Sequence, residues 1–123
     1  MGKKRILYVQ TSGTDTPERL YSPLILAQTA LAMDVEPQVY FLGQGIKVLL
    51  KGEADKIKVG NFPSLMDVIK DSKEKGIRIM ACQQSLQLFG GNVATADLIE
   101  EAEIAGAATL NDLALDADAI LSF

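Results

Sequence analysis

The chain has 123 residues, 48% of them hydrophobic and 23% charged, with a formal net charge of -4 and a pI of about 4.7. That is enough for one domain with its own apolar core, and the acidic balance, with basic residues clustered only at Lys3 to Arg5, argues against nucleic-acid binding. The absence of histidine and the presence of one cysteine, Cys82, remove Ser-His and Cys-His catalysis, an internal disulfide, a CxxC pair and a zinc site within one chain.

The N-terminus runs straight into a strand-like segment rather than a signal peptide's apolar core. No apolar run approaches the roughly 20 residues needed to span a bilayer. A cytoplasmic protein without a membrane span is therefore expected, and the residue inventory asks for no metal and no cofactor.

In chain order, RILYVQTS (5–12) is an apolar run closed by Ser12 and Gly13, the pattern of a buried strand and its turn. Thr16 before Pro17 marks a helix start, and Leu20, Leu24, Ala27 and Leu31 recur on one helical face. Pro23 either kinks that helix or moves its start to Ser22. QVYFLG (38–43) reads as a second buried strand, GIKVLLKG (45–52) as a short helix, and the polar stretch 53–61 as mostly loop.

Ser64 opens a clearer helix, SLMDVIKDSKEKG, whose cationic last turn and Gly76 supply a stop. IRIMA (77–81) is a third strand. Beyond Gly90 and Gly91, Asp97 with Glu100 resembles a capping box opening a short helix. AEIAG (102–106) is a fourth strand, 109–116 a final helix and AILSF (119–123) a last strand. Strands alternating with helices, and apolar rather than alternating in pattern, imply βαβ units. The expected fold is a single domain over residues 1–123, a three-layer α/β/α sandwich of flavodoxin-like type on a mostly parallel sheet of about five strands.

Ligands of open parallel sheets bind outside the carboxyl ends of the strands. Those ends place Thr11, Ser12, Gly13 and Thr14, then Gly43, Gln44 and Gly45, then Cys82, Gln83, Gln84 and Ser85 on one rim. If a helix starts after Ala81, Cys82 sits at its N-terminus, where a thiolate is favoured and becomes a nucleophile. Ser85 lies over the same first turn and can donate to the sulfur, Gln83 and Gln84 add neutral polar groups, and nothing nearby is a conventional base. Free cysteine is also among the most buried residue types, so an inert core thiol stands beside the reactive one. An exposed thiol at the helix start favours reactivity, and one buried beneath apolar side chains the inert role.

The segments RILYVQTSGTDTPERLYSPLILAQTAL, VYFLGQGIKVL, IRIMACQQSLQLFG and GAATLNDLALDADAILSF resemble the DsrE/DsrF-like family, whose sulfur-relay members include TusD-type subunits. The likeness covers nearly the whole chain, and its most specific part is Ala81, Cys82, Ser85 and the following Gly90. It implies a cytoplasmic homo-oligomer, often a trimer or hexamer. It also implies a cysteine, here Cys82, that carries sulfane sulfur as a persulfide between a donor and an acceptor protein. Persulfide transfer needs one activated thiolate and two partners, and no histidine, metal or second internal cysteine.

On that reading Ser85, with Ser12 across the rim, would hydrogen-bond the sulfur. A different class of reading is a small-ligand or nucleotide-binding module on the Thr11 to Asp15 and Gly43 to Gly45 loops, with Cys82 only lining the pocket. A third is a structural or regulatory oligomer subunit, with Phe62, Phe89 and Phe123 as candidate surface residues.

Overall fold

The computed structural model describes residues 2–88 and 95–123. Five strands, β1 (Arg5–Gln10), β2 (Glu36–Phe41), β3 (Ile79–Cys82), β4 (Ala102–Ala105) and β5 (Ala119–Ser122), form one sheet in the order β4-β3-β2-β1-β5. Every described pairing is parallel. The α-helices α1 (Ser22–Ala32), α2 (Leu65–Glu74), α3 (Gln83–Leu88) and α4 (Ala107–Asp116) connect them. This is the expected α/β sandwich.

The strand order fixes which face each helix covers. The steps β1 to β2, β2 to β3 and β3 to β4 all move the same way, so right-handed crossovers put α1, α2 and α3 on one face. The return from β4 to β5 runs the other way and carries α4 to the opposite face. Side-chain parity agrees. The Tyr8 hydroxyl donates to Leu26 O of α1, so Ile6, Tyr8 and Gln10 face α1. Arg5, Leu7 and Val9 face α4, and in register with Val9 so do Tyr40, Met80 and Glu103.

The core draws on both faces of the sheet. Leu7, Tyr8, Leu24, Ala27, Val39, Tyr40, Phe41, Leu65, Ile69, Ile79 and Met80 are all buried in one cluster. α4 is thinner cover, with no buried residue, and meets the core through the half-buried Leu110, Leu113, Ala114 and Ala117.

One alternative is decided, in favour of a helix start at Ser22, and two local expectations change. The apolar face starting at Leu20 does not begin one continuous helix at Pro17. Pro17–Arg19 is a separate 3-10 turn, and α1 starts at Ser22 with Pro23 in its first turn, where proline's missing N–H costs nothing. GIKVLLKG belongs to a 3-10 helix over Gly43–Leu49. Asp97 opens no helix. It ends a 3-10 turn, Thr95–Asp97, after which Leu98 bridges Leu50 antiparallel and the Ile99 N–H donates to Leu49 O. Burying Leu98 and Ile99 requires that extended pairing, which a helix from Asp97 would break. Phe89, Gly90 and Gly91 lie outside the described residues.

Candidate functional site

The sheet order also creates a crevice. The chain leaves β3 toward one face through α3 and leaves β4 toward the other through α4, so the connections of two adjacent strands diverge. In open α/β sheets that divergence marks the ligand position. Cys82 is the last residue of β3 and is in register with Ala105, the last of β4. The lone thiol therefore stands at the switch point.

Cys82 is only 6% exposed and belongs to the apolar core cluster, with polar groups of Ser85, Tyr40 and Gln84 beside its sulfur. The Ser85 hydroxyl and backbone N–H, the Tyr40 hydroxyl and the Gln84 backbone N–H lie close enough to the sulfur to favour its anion by hydrogen bonding. Burial pushes the thiol pKa up. The four hydrogen bonds outweigh it and leave the pKa below the ordinary thiol value. α3 has six residues, too short for a substantial macrodipole, so the effect rests on individual donors at its first turn.

Each donor is itself held. Ser85, 4% exposed, accepts at Oγ from the Gly43 N–H at 2.7 Å, which leaves its own proton free to point at the sulfur. Gly43 is in the left-handed region at φ 59°, a conformation that glycine adopts without Cβ strain. Tyr40, fully buried, places its hydroxyl 3.0 Å from both Ala105 O and Gly106 O. Its own pKa is raised, first by burial and then by the hydrogen bond and charge of Cys82.

Gln84 contributes on two sides. Its Oε1 accepts from the Ala107 N–H at 3.1 Å and, at 3.8 Å, from the Cys82 thiol. The exposed Gln84 side chain thus links the sulfur to the first residue of α4, whose N-cap Gly106 has no side-chain cap to offer.

The remaining sequence candidates are placed differently. Gln83 is exposed and faces Gly106, where an added Cβ would meet its Oε1 at 4.0 Å. Ser12 is occupied at the β1–β5 junction, its N–H donating to Phe123 O at 3.1 Å and its carbonyl accepting from Gln10 Nε2 at 3.1 Å. Gly13 packs on Gln44, whose carbonyl a Cβ would approach to 2.9 Å, and a Cβ on Gly45 would overlap the Gln10 carbonyl. The glycines of these two loops serve close backbone packing rather than an open cradle. Ser85 thus joins Cys82 directly, Gly43 joins it through Ser85, and Gly13 abuts the loop that contains Gly43. Phe62 is half exposed and stacks on Tyr21, with ring centroids 5.2 Å apart. Phe123 is partly buried against the core.

Tyr40 is the site residue that sequence reading misses. It lies two positions short of Leu42, inside an apolar strand. Only the register, Tyr40 beside Met80, brings it diagonally next to Cys82. Inward-facing tyrosine near a strand's carboxyl end is the signal that could have suggested it.

A five-stranded parallel sandwich with one polar-coordinated thiol at its switch point defines a class of small α/β proteins with a rim cysteine. The chain belongs to the DsrE/DsrF-like family, whose model matches residues 4–123. It is 36% identical over 104 residues to the uncharacterized protein MJ0760 of Methanocaldococcus jannaschii, a match covering 85% of this chain and 37% of that protein. The chain thus spans little more than a third of that relative's length. Among solved structures it is similar to the YchN protein from E. coli, with a TM-score of 0.72, 16% identity and coverage of 99% and 100%. It is equally similar to MTH1491, a protein of unknown function from Methanobacterium thermoautotrophicum, with a TM-score of 0.74, 14% identity and the same coverage. At those identities the likeness is one of fold.

Proposed function

We propose that the protein is a cytoplasmic sulfur carrier that holds sulfane sulfur as a persulfide on Cys82 and passes it between a donor protein and an acceptor protein. The observation that carries this reading is the place of the single thiol at the switch point, in register with the last residue of β4, with neutral donors of Ser85, Tyr40 and Gln84 around it that favour its thiolate. Family membership over residues 4–123 supports it, since sulfur relay is a common role there.

The chemistry balances without a redox partner. The Cys82 thiolate attacks the outer sulfur of a donor persulfide, R–S–S–H. The bond from Cys82 Sγ to that sulfur forms, the donor's S–S bond breaks, and its electron pair leaves with R–S⁻. In the second step an acceptor thiolate attacks the same outer sulfur, and Cys82 departs as thiolate. Neither step needs a base beyond the ionisation of the attacking thiol. Both need an anionic sulfur stabilised where water is scarce, which the donors around Cys82 provide. The partners reach the sulfur past the exposed Gln84, and the working form is a homo-oligomer.

Mass spectrometry after incubation with a sulfane donor tests the reading. The wild type is expected to gain one sulfur atom that a thiol reductant removes, and Cys82→Ala to gain none. An unmodified wild type across several donors overturns it. Stabilisation by a nucleotide or flavin that persists in Cys82→Ser, without sulfur uptake, would assign the rim to ligand binding instead.

A further inference from the structure

Building on the carrier reading, we propose that Tyr40 is a catalytic residue of sulfur transfer, its hydroxyl donating to Cys82 Sγ whenever that sulfur is anionic. That condition arises twice, before Cys82 attacks the donor and when it departs from the outer sulfur during discharge.

The geometry carries the assignment. Tyr40 in β2 is in register with Met80 in β3, so its ring lies on the sheet face that Cys82 occupies two residues further on. Burial fixes the ring. The hydroxyl spans β3 to reach Ala105 O and Gly106 O, each at 3.0 Å, and Ala105 is the register partner of Cys82. The hydroxyl thus crosses β3 on the sheet face that carries the Cys82 side chain. Ser85 and the first N–H groups of α3 approach from the helix side, and Tyr40 approaches from the sheet side.

The proton count shows why this hydroxyl can serve two states. Tyr40 has one proton and two carbonyls at equal distance, so neither holds it alone. Gly106 O also accepts from the Leu110 N–H at 3.3 Å and keeps a partner when Tyr40 turns away. In the thiol state the S–H donates to Gln84 Oε1 and Tyr40 serves the carbonyls. In the thiolate state the sulfur has no proton to give, and the Tyr40 proton turns to it.

The sulfur's immediate partners are neutral. The charged groups on the neighbouring elements are Glu36 of β2, paired with Arg5, Glu103 of β4, paired with Arg78, Lys47 on the Gly43–Leu49 helix, and Asp112 and Asp116 of α4. α3 carries none. Ionisation of Cys82 therefore depends on hydrogen bonds, and loss of one should be measurable.

The experiment follows Cys82 ionisation by ultraviolet thiolate absorbance against pH, with the spectrum of Cys82→Ser subtracted. Tyr40→Phe is expected to move the midpoint upward and to leave about threefold to tenfold less thiolate below it, the effect of one lost hydrogen bond. Discharge of a preformed persulfide to a small thiol should slow by a similar factor. An unchanged midpoint overturns the proposal.

Wild-type protein carrying fluorotyrosine gives a second measurement that removes no hydroxyl. The fluorine resonance absent from Tyr40→Phe should shift with the Cys82 midpoint and lose that step in Cys82→Ser. A resonance blind to that titration also overturns the assignment. Both readouts concern ionisation alone, so they stand or fall separately from whether the wild type takes up sulfur.

Discussion

At Cys82 two opposing influences meet on one atom. Burial disfavours the thiolate and the Ser85, Tyr40 and Gln84 donors favour it, with the donors ahead. The balance has a consequence for stability. The native state binds its thiol proton less tightly than the unfolded chain, so ionisation of Cys82 stabilises the fold. That contribution is complete above the ordinary thiol pKa, about 8.5, and disappears as pH falls through the depressed native value. The melting temperature of the wild type relative to Cys82→Ser should therefore rise with pH from the depressed native value up to about 8.5 and then level off. Tyr40 has a raised pKa and acts in the opposite direction, but only near and above the ordinary tyrosine range of about 10, outside that window. A flat difference curve would mean that the sulfur is not preferentially ionised in the folded state. The residues carrying this balance were unequally legible in the sequence. Cys82 and Ser85 share one short segment, and their three-residue spacing suffices to bring them together. Tyr40 lies in β2 and Gly106 just past the end of β4, and only the register shows that they close the same site.

At the scale of elements, the helices follow local rules where local interactions decide them. Ser64 is the N-cap of α2 and its Oγ accepts from the Asp67 N–H at 3.2 Å, while Gly76 takes φ 92° just past the helix end, as its stop residues suggested. Ser64→Ala should lower unfolding stability by about 1 kcal/mol, measured as a lower urea midpoint at unchanged slope. Sulfur uptake should be unaffected, because α2 packs on α1 away from the switch point. A loss of uptake at full stability would contradict this separation. Asp97 shows the opposite case. Its capping-box spacing with Glu100 is genuine at the sequence level, yet the demand of Leu98 and Ile99 for burial against Leu49 and Leu50 overrides it. α1 lies between these cases. Its apolar period is visible from Leu20, but Tyr21 is fixed from outside the helix by its hydroxyl bond to Pro63 O at 2.8 Å, and the helical residues begin only at Ser22.

Across the whole molecule, the two edges of the sheet are built differently. β4 carries Glu103, with Glu100 and Glu101 just before it, and charged residues discourage further strand pairing. Asp116 and Asp118 precede β5, but the strand itself, Ala119–Ser122, carries no charged residue. Ile120 and Leu121 are 51% and 44% exposed, and Leu115 of α4 is 83% exposed. Leu121 shares the register of Tyr8, whose hydroxyl contacts Leu26 of α1, itself an exposed apolar residue. The β5 edge is thus flanked by apolar side chains on both faces, Leu26 and Leu121 on one and Ile120 and Leu115 on the other. Burial of such an edge against a second copy of the chain would satisfy its backbone groups and remove this apolar surface from water together. The β5 edge is therefore the contact expected of the proposed homo-oligomer. Sedimentation or light scattering of the wild type should give a multiple of the 13.2 kDa chain mass, and Leu121→Lys should give the single-chain mass with unchanged circular dichroism. The Cys82 rim lies at the carboxyl ends of β3 and β4, across the sheet from β5, so the dissociated variant should still take up sulfur. A wild type of single-chain mass, or a Leu121→Lys protein of undiminished mass, would exclude β5 as the contact.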